Sequence, residues 1–271
     1  MGPPLKVPMQ TGVRIVAMIA VLVLTAGCGS GANRGVETVL SGAADSTTGA
    51  GTARIAFTEH EFETADPSMD RSTTSGEGVY DMVARKGRFN YSTTVDGEEI
   101  GHTDFLLFGD TAYFKSKFVA PFVIEDEDPT RPWEEVTADP TEASTEAELL
   151  LDSPDSVLKR LRDLAGPVRR LGTETVRGTH TTHYTATSDH PNRRNGATAR
   201  TDVVRPPAAV DVWVDDHDRI RRLAINRVFP EGREGDGVAT TDVFSYDLFD
   251  FGVDVRVEPP PADQIHPHHG D

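Results

Sequence analysis

The stretch VDVWVD, residues 210–215, alternates apolar and polar side chains without interruption. The acidic triplet Asp216-His217-Asp218 follows it, and a second apolar stretch begins at Ile220. Side chains two residues apart in a strand share one face of a sheet, so the three valines face the same side. The pattern predicts two antiparallel strands joined by an acidic turn.

Similar patterns recur on both sides of this hairpin. Strands are predicted where apolar residues alternate, at 54–62, 76–84, 88–95, 102–108, 111–115, 168–175, 179–187, 209–215, 219–228, 238–248 and 253–257. Three dipeptides typical of hairpin turns lie between strands of the first half, Lys86-Gly87, Asp96-Gly97 and Gly109-Asp110. The sequence therefore predicts an antiparallel meander.

Two helices interrupt the predicted strands. A short helix is expected over 36–44, because apolar residues recur there at helical spacing before the glycines at 49 and 51. The second follows Ser153-Pro154-Asp155, which places an N-cap serine before a first-turn proline and an acid. Its apolar residues recur at helical spacing until Gly166-Pro167 ends it.

The chain has a single cysteine, Cys28, which closes the apolar run 15–25 and the small pair Ala26-Gly27. Lys6 and Arg14 precede the run. A charged region, a short apolar region and a small-residue cleavage site are typical of an export signal. Cleavage before Cys28 would leave its thiol at the new amino terminus, where bacterial lipoproteins carry a diacylglycerol. We expect a chain anchored at the outer face of the cytoplasmic membrane; the alternative is an ordinary signal peptide with an incidental cysteine.

The predicted organisation follows from these signals. Residues 1–27 form the signal peptide, 28–35 a flexible glycine-rich tether, 36–258 a single domain, and 259–271 a disordered tail. Removal of the signal peptide would leave 244 of the 271 residues, without a second cysteine for an intrachain disulfide. The fold must therefore be held by its core.

Charge is unevenly distributed along the chain, whose net charge is −17. Nucleic acid is not an expected partner, because phosphate binding needs a basic face. Residues 125–155 contain 12 acidic side chains and one arginine, Arg131. The acidic, proline-broken part over 125–147 is predicted to be a surface loop that holds Trp133. The whole acidic segment is either a solvated surface or a docking surface for a protein partner.

Five short motifs occur in a characteristic order along the sequence. They are FGDTAYF at 108–114, Arg131-Pro132-Trp133, the helix after Ser153-Pro154, the run 171–178 leading to Thr182-His183-Tyr184, and DVWVD at 211–215. Together they resemble the LppX/LprG-type, LolA-like lipoproteins of actinobacterial envelopes. The resemblance implies an α+β fold, in which a strongly curved antiparallel sheet, an incomplete half-open β-barrel, is wrapped around one to three helices.

The resemblance also implies an apolar cavity that holds acyl chains of a lipid or lipoconjugate. An unclosed barrel leaves an apolar face that its own helices or a ligand must cover. Eight residues are expected to line it: Phe89, Tyr91, Phe105, Leu107, Tyr113, Val212, Val214 and Leu223. The expected function is that of a lipid carrier or chaperone. The alternative is that these residues form an ordinary filled core, and that the domain is a non-enzymatic signalling or protein-interaction module.

The sequence lacks well-placed catalytic and metal-binding patterns. The sequence contains no G-x-S-x-G, H-E-x-x-H or phosphate-binding loop. His180 and His183 are three residues apart in a predicted strand, which points them to opposite faces. We therefore predict no catalytic residue, no metal site and no cofactor, and we expect a non-enzymatic protein; a hydrolase with an unrecognised site is the remaining alternative.

Overall fold

The computed structural model describes residues 32–118, 128–137, 154–162, 167–188, 208–230 and 237–266. The predicted signal peptide and Cys28 lie outside them. Two α-helices occur in the described residues, α1 (Ala32–Gly49) and α2 (Pro154–Arg162). The described strands are β1 (Thr52–Glu63), β2 (Asp66–Asp81), β3 (Lys86–Val95), β4 (Glu98–Phe108), β5 (Thr111–Phe118), β6 (Glu134–Thr137), β7 (Arg169–Val176), β8 (Thr179–Ser188), β9 (Ala208–Asp215), β10 (Ile220–Phe229) and β11 (Thr240–Phe249).

All of these strands belong to one antiparallel sheet. Its order is β6-β5-β4-β3-β2-β1-β11-β10-β9-β8-β7, so two meanders meet where β1 pairs with β11. Strands β6 and β7 lie at opposite ends of this order and do not pair with each other, so the described sheet is not closed. The prediction of a mostly antiparallel, unclosed sheet with few helices is confirmed.

One face of the sheet, which we call the inner face, shares a hydrophobic core with both helices. It carries Ile55 of β1, Leu107 of β4 and Val212 of β9, whose exposed fractions are 1% or less. The predicted alternation explains this arrangement, because every second side chain of each strand points to the same side. The opposite face is called the outer face.

Helix α1 packs against α2 and contacts β7 and β10. Leu40 of α1 and Leu158 and Leu161 of α2 are almost fully buried, which stabilises the fold by about 1.5–3 kcal/mol for each side chain. Thr47 joins α1 to the sheet: its hydroxyl donates to the Ala43 carbonyl at 2.6 Å and accepts from the Ile220 amide at 2.8 Å. None of the helices in the described part of the chain has the length and apolar character needed to cross a bilayer.

Helix boundaries differ from those predicted. Helix α1 extends over Ala32–Gly49 instead of 36–44, so residues 32–35 of the predicted tether are helical. The ends of this helix contain polar residues such as Asn33 and Asp45, so the apolar pattern predicts a shorter helix. Helix α2 confirms the prediction over 154–162, and its predicted flanks lie outside the described residues.

The region around Trp133 is not the irregular loop that the acidic composition suggested. Residues 134–137 form strand β6, which pairs with β5 from Thr111↔Thr137 to Phe114↔Glu134. Backbone pairing with an existing strand outweighs the low strand preference of two glutamates. The remainder of the predicted loop, at 125–127 and 138–147, lies outside the described residues.

The chain after β11 also differs from the prediction. Residues 253–257 do not form the predicted strand, and residues 259–266 are part of the folded domain. A short 3₁₀-helix occupies Ala262–Gln264, and the His266 amide donates to the Trp133 carbonyl at 2.7 Å. The proline-rich composition suggested disorder, but it does not prevent an extended segment from pairing with the residue that precedes β6. Residues 267–271 lie outside the described part.

Two of the three predicted glycine turns are confirmed, at Asp96-Gly97 and at Gly109-Asp110, and so is the turn after β9. The turn before β3 lies instead at residues 82–85, where the Asp81 carboxylate accepts from the amides of Val83 and Ala84. Gly87 is instead a buried residue of β3. A side chain does not fit there, because a Cβ would lie 2.6 Å from the Tyr80 ring.

Candidate functional site

Aromatic side chains line the inner face of the N-terminal half of the sheet and continue onto β11. The register pairs Phe57 with Tyr246, and pairs Phe105 with both Phe89 and Phe114, so these rings point to the same side. We call the set the aromatic strip; its members are Phe57, Phe89, Tyr91, Phe105, Phe114, Phe244 and Tyr246.

Ring contacts run through the strip without a gap. Phe57 is central: its ring centroid lies 6.2 Å from Phe89, 5.9 Å from Tyr91, 6.2 Å from Phe244 and 6.3 Å from Tyr246. The chain of rings continues from Phe89 to Phe105 at 5.8 Å, and from Phe105 to Phe114 at 4.8 Å. Such pairs stabilise one another by about 0.5–1.5 kcal/mol beyond their buried area.

Two glycines of β2 make these contacts possible. Strand β2 lies between β1 and β3, and Gly76 and Gly78 occupy two of its inner positions. A Cβ at Gly76 would lie 2.6 Å from the Tyr91 Cβ, and one at Gly78 would lie 2.5 Å from the Phe89 ring. Because β2 has no side chain at these positions, Phe57 meets the β3 rings directly across it.

Three members of the strip are less completely covered than the aliphatic side chains of β9 and β10. Phe57, Tyr91 and Phe105 are only partly buried. In contrast, Val212 and Leu223 are at most 2% exposed and lie in the C-terminal half, where α1 contacts β7 and β10. Within the described residues, three partly exposed rings of the strip therefore lie together in the N-terminal half, and Tyr184 of β8 is a further partly buried ring in the C-terminal half.

The structure places seven of the eight predicted cavity residues on the inner face. Phe89, Tyr91, Phe105 and Leu107 lie in or beside the aromatic strip, and the other three belong to the core under the helices, namely Val212, Val214 and Leu223. Whether any of them contacts a ligand stays a prediction.

Tyr113 is the exception, because it points to the outer face. It pairs with Leu106, and its ring lies 6.0 Å from that of Phe108. Burial and the neighbouring Glu135 carboxylate raise its phenol pKa. Phe114, the next residue, occupies the inner position instead. The sequence indicates that Tyr113 faces outward, because Lys115 and Lys117 lie on the same face of the strand.

Four further members of the strip were not among the predicted cavity residues: Phe57, Phe114, Phe244 and Tyr246. Phe57 follows Ile55 at a spacing of two, and Phe244 precedes Tyr246 at the same spacing. These local signals show that the residues share a face within their strands. They do not show that β1 and β11, nearly 200 residues apart, are neighbours.

Tyr91 combines an apolar ring with a satisfied hydroxyl. Burial raises its pKa, a hydrogen bond with Thr103 opposes this shift, and the charge of Glu59 adds to it. The phenol therefore stays protonated at neutral pH and supplies one polar group among the apolar rings.

A polar network occupies the outer face of the C-terminal half. The His183 ring stacks on Trp213 with centroids 4.1 Å apart. Its Nδ1 lies 2.9 Å from Glu174 and its Nε2 3.1 Å from Asp211, while the Trp213 indole donates to Glu174 at 2.9 Å. The hydrogen bonds from Trp213 and His183 lower the pKa of Glu174. The network ties β7 to β8 and β9.

One group of described residues brings three potential metal ligands together, in the turn formed by Asp215, Asp216 and His217. Asp215 already accepts from the amides of His217 and Arg219 and from Arg221, each within 2.9 Å. Burial raises its pKa, but these hydrogen bonds outweigh that effect and the net shift is downward. Its contacts account for the shape of the β9–β10 turn.

Comparison with known proteins identifies similar chains, although no family model matches this sequence. A Streptomyces coelicolor protein named as a lipoprotein, SCO4650, is 37% identical over 110 residues. The matched region covers 41% of this chain and spans 30% of that protein's length.

Three solved structures are similar over most of the chain. Mycobacterium tuberculosis lipoprotein LppX has a TM-score of 0.47 at 16% identity, covering 83% of this chain and 100% of LppX. LprF from Mycobacterium bovis has a TM-score of 0.45 at 13% identity, covering 84% and 97%. A LolA superfamily protein from Nitrosomonas europaea has a TM-score of 0.30 at 9% identity, covering 83% and 94%.

Proposed function

We propose that this chain is an exported envelope lipoprotein that carries a lipid by its acyl chains. In this proposal, Cys28 holds the protein at the outer face of the cytoplasmic membrane, and the curved sheet surrounds the helices and leaves a cavity beside the aromatic strip. The role is non-enzymatic.

The observation that carries the proposal is the incomplete burial of Phe57, Tyr91 and Phe105 on the inner face of an unclosed sheet. Large apolar rings on a core-facing surface are normally covered. Covering them with acyl chains would gain about 0.8 kcal/mol for each buried CH₂ group. A chain of about ten such groups would contribute about 8 kcal/mol before the entropic cost of association is subtracted. The lipoprotein name of the Streptomyces relative supports the anchoring at Cys28.

Lipid extraction from the purified protein tests the proposal. The full chain carrying Cys28→Ala cannot bear a thioether-linked lipid, so any acyl lipid found by mass spectrometry is held non-covalently. We expect about one lipid per protein. Phe105→Asp should abolish this lipid, because the substitution places a charge in the aromatic strip.

Leu106→Asp is the matched control, because Leu106 is the next residue of β4 and points to the outer face. It should retain the lipid. Circular dichroism would establish that both variants are folded. If the parent protein contains no lipid, or if both variants retain it equally, the carrier proposal is wrong and the filled-core interaction module is favoured.

Membrane attachment is tested separately. The unaltered chain should incorporate labelled palmitate and sediment with membranes, whereas Cys28→Ala should lose the label. A Cys28→Ala protein that is still labelled with palmitate would contradict the proposed anchor.

A further inference from the structure

A row of hydroxyl groups lies beside the aromatic rings on the inner face of the N-terminal half. Tyr91 of β3 is opposite Thr103 of β4, which is opposite Ser116 of β5. The Thr103 hydroxyl lies 2.9 Å from that of Ser116 and is hydrogen-bonded to that of Tyr91. We call these three residues the hydroxyl row. The row crosses three neighbouring strands as a continuous chain of hydrogen bonds.

A second pair of hydroxyls extends this polar surface along β3. Thr93 lies two residues after Tyr91 and shares its face, and its hydroxyl lies 3.1 Å from that of Thr74 on β2. We call Thr74 and Thr93 the threonine pair. Both threonines are partly exposed, and so are Tyr91 and Ser116 of the row. Both groups are therefore accessible from solvent.

The same level of the inner face becomes apolar in the C-terminal half. In the antiparallel register, the hydroxyl row continues across the sheet through Gly76, Phe57 and Tyr246 to Leu223 and Val212. The last two are at most 2% exposed, in the core that the sheet shares with the helices. Hydroxyls thus take the place of buried aliphatic side chains in the half of the inner face that has three partly exposed rings.

Both groups contain more hydrogen-bond donors than they use internally. A hydroxyl donates one hydrogen bond and can accept two. The hydroxyl row has three protons for two hydrogen bonds, and the threonine pair has two protons for one. These hydroxyls have no further hydrogen-bond partner in the described part of the chain. One donor in each group is therefore left for solvent or for a ligand.

A lipid packed on the aromatic strip would displace water from these two donors. If the lipid offered no acceptor, both O–H groups would lose a hydrogen bond, and this loss would weaken binding. An ester carbonyl is an acceptor at the polar end of an acyl chain, so it can replace the displaced water. A diacyl lipid has two such carbonyls, which equals the number of unused donors.

We propose that the hydroxyl row and the threonine pair donate hydrogen bonds to the ester carbonyl groups of the bound lipid, whose acyl chains pack on the aromatic strip. The inference rests on the proposed carrier function and names its ligand class. Ester-linked diacyl lipids are bound in preference to ether-linked lipids with the same chains, because an ether linkage has no carbonyl oxygen.

Competition between an ester lipid and an ether lipid tests this preference. The full chain carrying Cys28→Ala is loaded with pyrene-labelled diacylglycerol, which is then displaced by dioleoylglycerol or by the dioleyl diether of glycerol. The two competitors share chain length, double bonds and a free hydroxyl head, and they differ in the two carbonyl groups. We expect the diether to need about tenfold higher concentration. This ratio corresponds to about 1.4 kcal/mol, which is in the range expected for one or two neutral hydrogen bonds.

Two variants locate the preference. The triple substitution Tyr91→Phe, Thr103→Val and Ser116→Ala removes the hydroxyl row, and the double substitution Thr74→Val and Thr93→Val removes the threonine pair. Because both partners of each hydrogen bond are replaced by apolar groups of similar shape, the variants should stay folded. Each variant should lower the preference to about threefold, and the two combined should abolish it.

The double substitution Thr111→Val and Thr137→Val is the matched control. These residues of β5 and β6 form a hydroxyl pair on the outer face, with their oxygens 3.5 Å apart. The control removes two hydroxyls without changing the inner face, so the tenfold preference should remain. Circular dichroism would establish that all variants are folded.

The outcomes separate this inference from the carrier function. If labelled diacylglycerol binds and the diether displaces it as well as dioleoylglycerol does, the hydroxyls do not select ester carbonyls and the inference is overturned. The same conclusion follows if the combined variant keeps the full preference, or if the control loses it equally. If the labelled lipid does not bind at all, the carrier function itself is wrong.

Discussion

Strands β9 and β10 and strands β1 to β5 belong to the same sheet, but their inner faces are covered in different ways. The first pair carries aliphatic side chains such as Val212 and Leu223, which are almost fully buried in the core shared with the helices. The second group carries aromatic rings over a β2 strand that has glycine at two inner positions, and Phe57 and Phe105 are only partly buried. The difference shows that one alternating pattern can build a closed core or a surface that accepts a further apolar molecule.

The largest loss of stability is expected from a substitution in the closely packed aliphatic half. Leu223→Ala should lower the free energy of unfolding by about 2–5 kcal/mol, because it opens a cavity in a fully packed region. Chemical denaturation would measure the change. Leu171→Ala is the control: Leu171 is 57% exposed, so the change should stay within about 0.5 kcal/mol. Equal effects of the two substitutions would mean that the β10 region is not closely packed.

The outer face of the same half offers a second test. Asp247 accepts hydrogen bonds from Arg222 at 2.8 Å and from Arg177 at 2.9 Å. Burial raises the pKa of Asp247, but these hydrogen bonds outweigh it and the net shift is downward. A lowered pKa in the folded state stabilises the protein above pH about 4, and this stabilisation is lost as the pH falls through the lowered pKa.

Asp247→Asn should therefore lower the free energy of unfolding by about 1.5–3 kcal/mol at pH 7. Its effect should shrink toward pH 2, where the parent carboxylate is also neutral. Urea denaturation across this pH range would measure both values. A loss that is the same at both pH values would show that the charge of Asp247 contributes nothing.

The smallest stability effect is expected in the aromatic half. Phe57→Ala should cost about 1–2 kcal/mol, less than Leu223→Ala although it removes more atoms, because the ring is only partly buried in the absence of a ligand. Denaturation of lipid-free protein would measure it. A cost above that of Leu223→Ala would mean that the strip is as well covered as the aliphatic core, which would weaken the carrier proposal.

Local pattern predicted much of this fold. The alternation over 210–215 and the turn after it have the predicted form, because a strand's period of two and a turn's residue preferences are local properties. The same reasoning placed Tyr113 incorrectly: alternation shows that Tyr113 and Phe114 face opposite sides, and choosing the inner one requires weighing Lys115 and Lys117 on the face of Tyr113.

Composition predicted local structure less well where the pairing partners lie far away in the chain. The acidic residues around Trp133 suggested a loop, and the prolines at 259–261 suggested a disordered tail. In the structure β6 pairs with β5, and Ile265 forms a bridge with Trp133. A backbone hydrogen bond depends little on side-chain type, so composition contains little information about such contacts.

By itself, the sequence determined most of the strands, most of their turns and the helix after Ser153, because each depends on residues close together in the chain. The export signal ending at Cys28 stays a prediction. Only the tertiary structure decided that β1 pairs with β11, that Gly76 and Gly78 let aromatic rings meet across β2, and that the acidic residues of β1 lie beside Asp242. These features depend on pairings over long chain separations, whose entropic cost is repaid only when many apolar groups are buried together.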